Sequence, residues 1–241
     1  MLFRSTLAAN WGNEISVLLG DCLFAHALKL AASFPTPEIC RAVASATNTV
    51  CSGEILQTQR RKKFELSRPE YFKVLQMKTG ELFALSCDLG AYLSGDKAGF
   101  RTALRQYGMA IGTAYQVYDD CVDLFGSEES VGKSLGTDLA KGKMTLPMLM
   151  LLEEVDAVER EKIQKLVQQW EPSYFPQIIE LLRTHQALSK SRRAVHDYVG
   201  AARKTLECLP PSESRTGLLG LTEYLAQQTD ALREPAVKTD V

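Results

Sequence analysis

Residues 110–123 read AIGTAYQVYDDCVD, a nearly uncharged run that leads directly into three aspartates. The apolar run predicts a helix that is buried on most sides. It lies in a stretch without proline between Pro69 and Pro147, and helix interiors exclude proline. The pattern therefore predicts a long buried helix that ends in an acidic cluster.

The rest of the chain also has the apolar spacing of helices, with Thr36 as the N-cap and Pro37 as the first residue of the second one. Strand signals, internal repeats and low-complexity segments are almost absent from the sequence. We expect an all-α, single-domain bundle of mostly antiparallel helices over residues 1–233, followed by a flexible tail at 234–241. The predicted helices lie at 14–33, from 37 towards 60, and at 67–93, 96–123, 144–155, 158–170, 173–190, 192–207 and 213–228.

The composition excludes several classes of protein. The 241 residues include 28 Lys+Arg and 29 Asp+Glu, and this balance argues against a nucleic-acid binder and against a disordered chain. Six cysteines without a C-x-x-C pair indicate reduced, mostly buried thiols. Asp21, His26 and Lys29 interrupt the apolar run at 15–32, so we expect no transmembrane segment and a cytoplasmic location.

The acidic cluster at the end of the buried helix is the first candidate site. Asp119 and Asp123 are four residues apart and therefore share one helix face. Two stacked carboxylates near a helix C-terminus repel each other unless a cation or a proton lies between them. Oxygen ligands of this kind predict Mg²⁺ rather than a closed zinc site. A solvated acidic helix end is the alternative, and the apolar run before it disfavours that interpretation.

A loop rich in glycine and lysine follows at residues 131–147, with the sequence VGKSLGTDLAKGKMTLP. Such a loop can fold over phosphate groups and supply positive charges, although an ordinary flexible loop has a similar composition. It is not a Walker A motif, because Gly126 is one residue too far upstream and a helix is predicted before it. Lys78 lies inside an otherwise apolar predicted helix, where lysine is either paired or reaches solvent. Together these features suggest a polyphosphate bound by Mg²⁺ and lysine.

Residues 115–147 contain YQ-x₂-DD-x₂-D followed by GK-x₂-G-x-DL-x₂-GK-x-T-x-P. This combination resembles the second aspartate-rich region of trans-isoprenyl (polyprenyl) diphosphate synthases. LGD-x-L-x-A at 19–25, GE-x₂-Q at 53–57 and KTG-x-L at 78–82 are similar to further motifs of that family. The resemblance extends over nearly the whole chain.

The resemblance implies an isoprenoid-synthase fold around a central cavity and a Mg²⁺-dependent prenyltransferase. Such an enzyme condenses an allylic prenyl diphosphate with isopentenyl diphosphate to give a longer polyprenyl diphosphate. Asp119 and Asp123 would bind Mg²⁺ directly, and Asp120 and Asp138 would hold water and the loop lysine. The residues implied to act at the reacting centre are Lys78, Thr79 and Gln116. The residues implied to bind the substrate diphosphate are Lys78, Lys133, Lys143, Arg4 and Gln57.

The chain departs from the family pattern at one point. The family has two aspartate-rich motifs, and the first normally lies just before a segment resembling residues 5–13, so it would precede Met1. With one carboxylate wall only part of a metal cluster assembles, and we expect weak activity or none from this chain alone.

Three alternatives remain open at this stage. The first is a non-catalytic or regulatory subunit that pairs with a complete synthase through a helical interface, as a heterodimer. The resemblance itself implies either a homodimer or a heterodimer with a related synthase subunit. The second is a class I terpene cyclase, although the loop at 132–147 is of the synthase type. The third is a helical scaffold whose aspartates are merely on the surface.

Overall fold

The computed structural model describes residues 6–95, 99–128, 132 and 134–233. Over this part of the chain the structure is all-α and contains no strand, as the sequence predicts. The helices are α1 Leu7–Ala32, α2 Pro37–Gln59, α3 Arg68–Leu75, α4 Glu81–Leu93, α5 Arg101–Phe125, α6 Thr137–Ala140, α7 Leu146–Glu154, α8 Ala157–Gln168, α9 Phe175–Thr184, α10 Ala187–Thr205 and α11 Glu213–Ala231. A π-helical turn, Gln76–Gly80, joins α3 to α4, and short 3₁₀ turns occur at Pro172–Tyr174 and Leu206–Cys208.

Helix α5 is the centre of the bundle and carries the stretch that predicts the fold. Its second half is buried almost throughout, between α4 on one side and α10 on the other. The backbones of α4 and α5 approach closely, because a Cβ added at Gly108 would lie 2.4 Å from the carbonyl oxygen of Phe83. Leu124, Leu146 and Leu188 belong to the same continuous core. The acidic end of α5 is thus held in the interior of the protein.

The helix starts follow the sequence signals. Thr36 precedes the first residue of α2, and a capping box between Ser67 and Glu70 begins α3. The single helix predicted at 67–93 is continuous in the structure but contains the π turn, which falls on Lys78. The single helix predicted at 173–190 is wrong, because Gln186 adopts a left-handed conformation (φ 52°) and separates α9 from α10.

Helix α1 is far more exposed than its composition suggests. It kinks at Gly12, and Ala31 is its one buried residue. The expected absence of a transmembrane segment stays a prediction, because α1 is long and apolar enough to cross a membrane by length and composition, with a mean hydropathy of 1.6 over 18 residues. Buried core helices also meet these criteria of length and composition. The criteria therefore show that α1 is apolar and nothing further. Its large exposed apolar side chains are Leu7, Trp11, Ile15, Val17, Leu18, Leu23, Phe24 and Leu30.

The cysteines are free thiols, in agreement with their scattered positions. The expectation that most of them are buried is wrong. Cys121 is buried in α5, whereas Cys22, Cys51 and Cys208 are exposed and the other two are half-buried.

Candidate active site

Asp120 is the centre of a buried polar network at the end of α5. Its side chain is completely buried and accepts hydrogen bonds from the Tyr71 hydroxyl (2.7 Å) and from Lys143 Nζ (2.8 Å). Gln116 Nε2 donates a third bond of 3.1 Å. Lys143 also bonds Asp138 at 2.8 Å, so its ammonium lies between two carboxylates. The network joins α3, α5 and the segment after α6.

Burial and pairing shift the pKa values within this network. Burial raises the pKa of Asp120, and the neighbouring ammonium of Lys143 opposes that shift. Burial alone would lower the pKa of Lys143, but the carboxylates of Asp120 and Asp138 raise it above the ordinary lysine value. Burial and then Asp120 raise the pKa of Tyr71, which therefore keeps its proton and donates it. The site thus maintains a charged lysine in the interior at neutral pH.

Asp123 connects α5 to the loop that follows it. One carboxylate oxygen accepts bonds from the hydroxyl (2.8 Å) and the amide (3.2 Å) of Thr137. The other accepts a 3.0 Å bond from the amide of Asp138, and the Asp123 carbonyl accepts one from the Gly136 amide at 2.7 Å. Both carboxylate oxygens of Asp123 therefore hold the start of α6. In this arrangement the residue anchors the loop, and a direct role as a magnesium ligand stays a prediction.

Gln116 links the acidic face of α5 to the π turn. Its amide oxygen accepts a 2.8 Å bond from the Thr79 hydroxyl, and its amide nitrogen donates to Asp119 at 3.3 Å. π-helical turns are rare and occur often at functional sites, because the extra residue changes the direction of side chains. Thr79 and Gln116, both expected to act at the reacting centre, are thus in direct contact.

Lys78 is paired rather than extended into solvent. Its ammonium donates to Gln57 Oε1 at 2.9 Å and lies 3.2 Å from a carboxylate oxygen of Glu54. Both partners are on α2, which approaches the π turn closely because Gly53 has no side chain: a Cβ there would lie 2.9 Å from that of Met77. The GE-x₂-Q and KTG segments therefore meet in space.

The structure brings most of the predicted site residues together, but it does not describe all of them. Arg4 and Lys133 lie outside the described residues, as does the predicted tail at 234–241. Within the described part of the chain, no three His, Cys, Asp or Glu side chains are grouped so that they could hold a metal ion by themselves. A cation at this site would need further oxygen ligands.

The sequence did not identify several residues of the network. Tyr71 was given no role, and its bond to Asp120 joins residues 49 positions apart, a distance that spacing rules do not reach. Glu54 belongs to a recognised motif but was given no partner. Nothing in the spacing of Thr137 indicates that it contacts Asp123, because that contact depends on how the loop folds.

An apolar cavity of 650 Å³ lies between α4, α5 and α11. Tyr115 and Tyr118 of α5 are among its lining residues. Further lining side chains are Leu82, Phe83, Leu221 and Tyr224.

Comparison with known proteins gives consistent matches. The family model for polyprenyl synthetase matches residues 4–182. An octaprenyl diphosphate synthase of Haemophilus influenzae is 31% identical over 224 residues, which cover 92% of this chain and 68% of the relative. Heptaprenyl diphosphate synthase component 2 of Bacillus subtilis is 30% identical over 228 residues, covering 93% of this chain and 64% of the relative.

Solved structures give the same result. A polyprenyl synthase from Caulobacter crescentus, complexed with calcium and isoprenyl diphosphate, superposes with a TM-score of 0.89 at 30% identity and covers 97% of this chain and 70% of that one. A decaprenyl diphosphate synthase from Rhodobacter capsulatus gives a TM-score of 0.86 at 28% identity, with coverage of 96% and 71%. The family match spans well over half of the sequence. The chain belongs to the polyprenyl synthetase family.

Proposed function

We propose that the chain is a prenyltransferase that elongates an allylic prenyl diphosphate with isopentenyl diphosphate, in a Mg²⁺-dependent reaction. The observation that carries the proposal is the network in which Lys143 joins the acidic face of α5 to the loop, next to the contact between Thr79 and Gln116. Family membership supplies the class of substrate, a prenyl diphosphate.

The chemistry of these residues suits an ionisation step. When the allylic carbon–oxygen bond breaks, negative charge grows on the diphosphate and positive charge on the allylic carbon. A preorganised ammonium such as Lys78 stabilises the diphosphate charge without reorganising at the moment of reaction. The oxygen dipoles of Thr79 and Gln116, fixed by their mutual hydrogen bond, are suited to stabilise the cationic carbon.

The donor set fits a magnesium ion that is shared with the substrate. Mg²⁺ in such sites is commonly bound by one or two carboxylates together with waters and substrate phosphates. Asp119, which is half-buried, would hold the cation, and Asp120 and Asp138 would hold its waters or keep Lys143 in place. Bound Mg²⁺ would neutralise the charge of the leaving diphosphate. The Caulobacter relative forms a complex with calcium and isoprenyl diphosphate, so a similar chain takes up a divalent cation and a prenyl diphosphate.

The apolar cavity lined by Tyr115 and Tyr118 is the proposed binding place for the hydrocarbon part of the substrates. Its lining is aromatic and aliphatic, so a prenyl chain would be transferred from water to an apolar surface.

The test is incorporation of labelled isopentenyl diphosphate by the purified 241-residue chain, with Mg²⁺ and allylic primers of increasing length. Asp119→Ala is the matched variant, and Glu161→Gln, an exposed change on α8, is the control. Product that disappears with Asp119→Ala and persists with Glu161→Gln supports the proposal. Absence of product from a folded chain contradicts the proposal for the isolated chain, agrees with the weak activity expected from a single aspartate-rich motif, and favours the second candidate below.

A second candidate is one subunit of a synthase made of two different chains. Two relatives, from Bacillus subtilis and Geobacillus stearothermophilus, bear the name component 2 of heptaprenyl diphosphate synthase, at 30% and 31% identity. The exposed apolar face of α1 would suit a helical partner. This candidate requires that turnover be absent from the isolated chain and appear, with a rise in molecular mass, when a partner subunit is added.

A further inference from the structure

The turn between α2 and α3 lies against the loop that carries Lys143. Within that turn, Lys62 adopts a left-handed conformation (φ 59°), which non-glycine side chains avoid. Its backbone amide donates a 2.7 Å hydrogen bond to the carbonyl of Gly142. Its ammonium donates to the carbonyl of Gln168 at 3.0 Å, at the C-terminal end of α8, where a cation is favourable. Lys62 therefore bridges three segments that are distant in sequence.

The opposite side of this contact is equally constrained. Gly142 is also left-handed (φ 66°), and its amide donates to the carbonyl of Leu139 at 2.8 Å. The next amide, that of Lys143, donates to the carbonyl of Asp138 at 2.8 Å. A Cβ at Gly142 would lie 2.5 Å from Lys62 Cγ, so the two turns are packed directly against each other. The backbone next to Lys143 is thus held in place by Lys62, a residue outside the loop.

We propose that Lys62 is a positioning residue for Lys143. It holds the backbone at Gly142 and thereby sets the point between Asp120 and Asp138 at which the Lys143 ammonium lies. Lys62 itself contacts none of the acidic side chains of the site among the described contacts. The functional consequence, an effect on diphosphate binding, rests on the proposed function. A backbone conformation that is costly for lysine persists at a position where the neighbouring structure determines it, and such positions cluster at functional sites.

Substitutions at Gly142 and Gly95 distinguish the effect of the contact between Lys62 and Gly142 from the effect of backbone strain. Gly142→Ala adds both a strained φ and a clash with Lys62 Cγ. Gly95→Ala, in the turn after α4, adds a similar strain (φ 74°) with nothing within 4 Å of the new Cβ, and serves as the matched control. Lys62→Gly removes the Cγ and keeps the amide donor in a conformation that glycine adopts freely. Lys62→Pro removes the donor and cannot adopt a positive φ.

Two measurements test the proposal on the purified chain. Hydrogen exchange of the peptide spanning 137–143, without ligand, reports whether the loop is held. Calorimetric titration with inorganic pyrophosphate and Mg²⁺ reports whether the site is affected. We expect Lys62→Pro and Gly142→Ala to speed exchange in this peptide and to weaken pyrophosphate binding about tenfold, the scale of losing an outer partner of a binding group. Gly95→Ala should change neither quantity.

The double variant Lys62→Gly with Gly142→Ala gives the decisive result. Removing the clash should slow exchange again and recover part of the lost affinity, although the strained φ at position 142 remains. A general loss of stability would produce no such rescue. The proposal is overturned if the double variant is as impaired as Gly142→Ala, or if Lys62→Pro leaves exchange at 137–143 unchanged. If the wild-type chain binds no pyrophosphate, the proposed function fails, whereas the exchange measurement still decides the role of Lys62.

Discussion

Helices α1 and α5 have nearly the same length and opposite environments. Helix α1 is apolar along most of its length, yet Ala31 is its one buried residue. Helix α5 ends in three aspartates, yet Asp120 and Asp123 are among its buried residues. Burial here follows the partners of a helix rather than its hydropathy. The acidic end of α5 is stabilised in the interior by hydrogen bonds from Lys143, Tyr71 and Thr137. Helix α1, in contrast, has few contacts with the described residues apart from those with α2.

The largest expected effect comes from breaking the ion pair at the end of α5. Asp120→Ala leaves the Lys143 ammonium buried with one carboxylate partner and leaves the Tyr71 hydroxyl without its acceptor. We expect a loss of about 3–5 kcal/mol in the free energy of unfolding, measured by urea denaturation. Glu161→Gln breaks the exposed pair with Lys165, and because exposed ion pairs contribute little to stability we expect almost no change. Equal losses for the two variants would show that the network does not stabilise the fold.

The same truncation in each helix compares them directly. Leu124 on α5 is 0% exposed, and Leu124→Ala should cost about 2–5 kcal/mol. Leu23 on α1 is 63% exposed, and Leu23→Ala should change the free energy of unfolding by no more than about 0.5 kcal/mol. Denaturation at low protein concentration measures both. A loss above about 1 kcal/mol for Leu23→Ala would mean that α1 is covered in solution.

A smaller effect is expected where α4 and α5 meet. Gly108→Ala would place a Cβ 2.4 Å from the Phe83 carbonyl oxygen, and the resulting overpacking should cost about 1–3 kcal/mol. Gly220→Ala on α11 meets nothing within 4 Å and should stabilise the helix by roughly 0.5–1 kcal/mol. Thermal unfolding of the two variants should therefore shift in opposite directions. A shift in the same direction would contradict the close approach of α4 and α5.

The effect that is smallest near neutral pH is a dependence of stability on pH, which grows only in the alkaline range. Burial raises the pKa of Cys121 above its ordinary value of 9.0 and that of Tyr107 to about 12. In the unfolded chain these groups lose protons from about pH 9 and pH 10 upwards, while the native state keeps them. The unfolded state then binds fewer protons, so stability falls as pH rises, by at most about 1.4 kcal/mol per pH unit for each group. Denaturation at about pH 8 to 11 should show this fall.

Cys121→Ala is the matched variant for that measurement. It removes the group that titrates first in the unfolded chain, so the fall between about pH 9 and pH 10 should become shallower than in the wild type. Identical slopes in the two proteins would exclude the buried thiol as a contributor.

The local rules of helices were sufficient to predict most of the fold. The signals at Thr36–Pro37 and Ser67–Glu70 act within a few residues, and the structure has helix starts at both places. The break at Gln186 was missed because no glycine or proline accompanies its left-handed conformation. A single-sequence pattern cannot identify such a position.

The candidate site was predictable in its residue types but only partly in its contacts. The four-residue spacing gives the shared face of Asp119 and Asp123, but the bond from Asp123 to Thr137 depends on the folded loop. The contact between Lys78 and Gln57 joins residues 21 positions apart. It depends on a π turn, which shifts the side-chain direction away from the ordinary helical period. Long-range contacts of this kind are not encoded in spacing.

The most direct test of the account is a calorimetric titration of the purified chain with inorganic pyrophosphate, with and without Mg²⁺. The central claim is that the acidic end of α5 and the loop with Lys143 form one diphosphate site. We predict saturable binding at one site that requires Mg²⁺ and that Asp119→Asn weakens by more than about tenfold, while Glu161→Gln has no effect. Binding of equal strength in Asp119→Asn, or binding that ignores Mg²⁺, would contradict the claim.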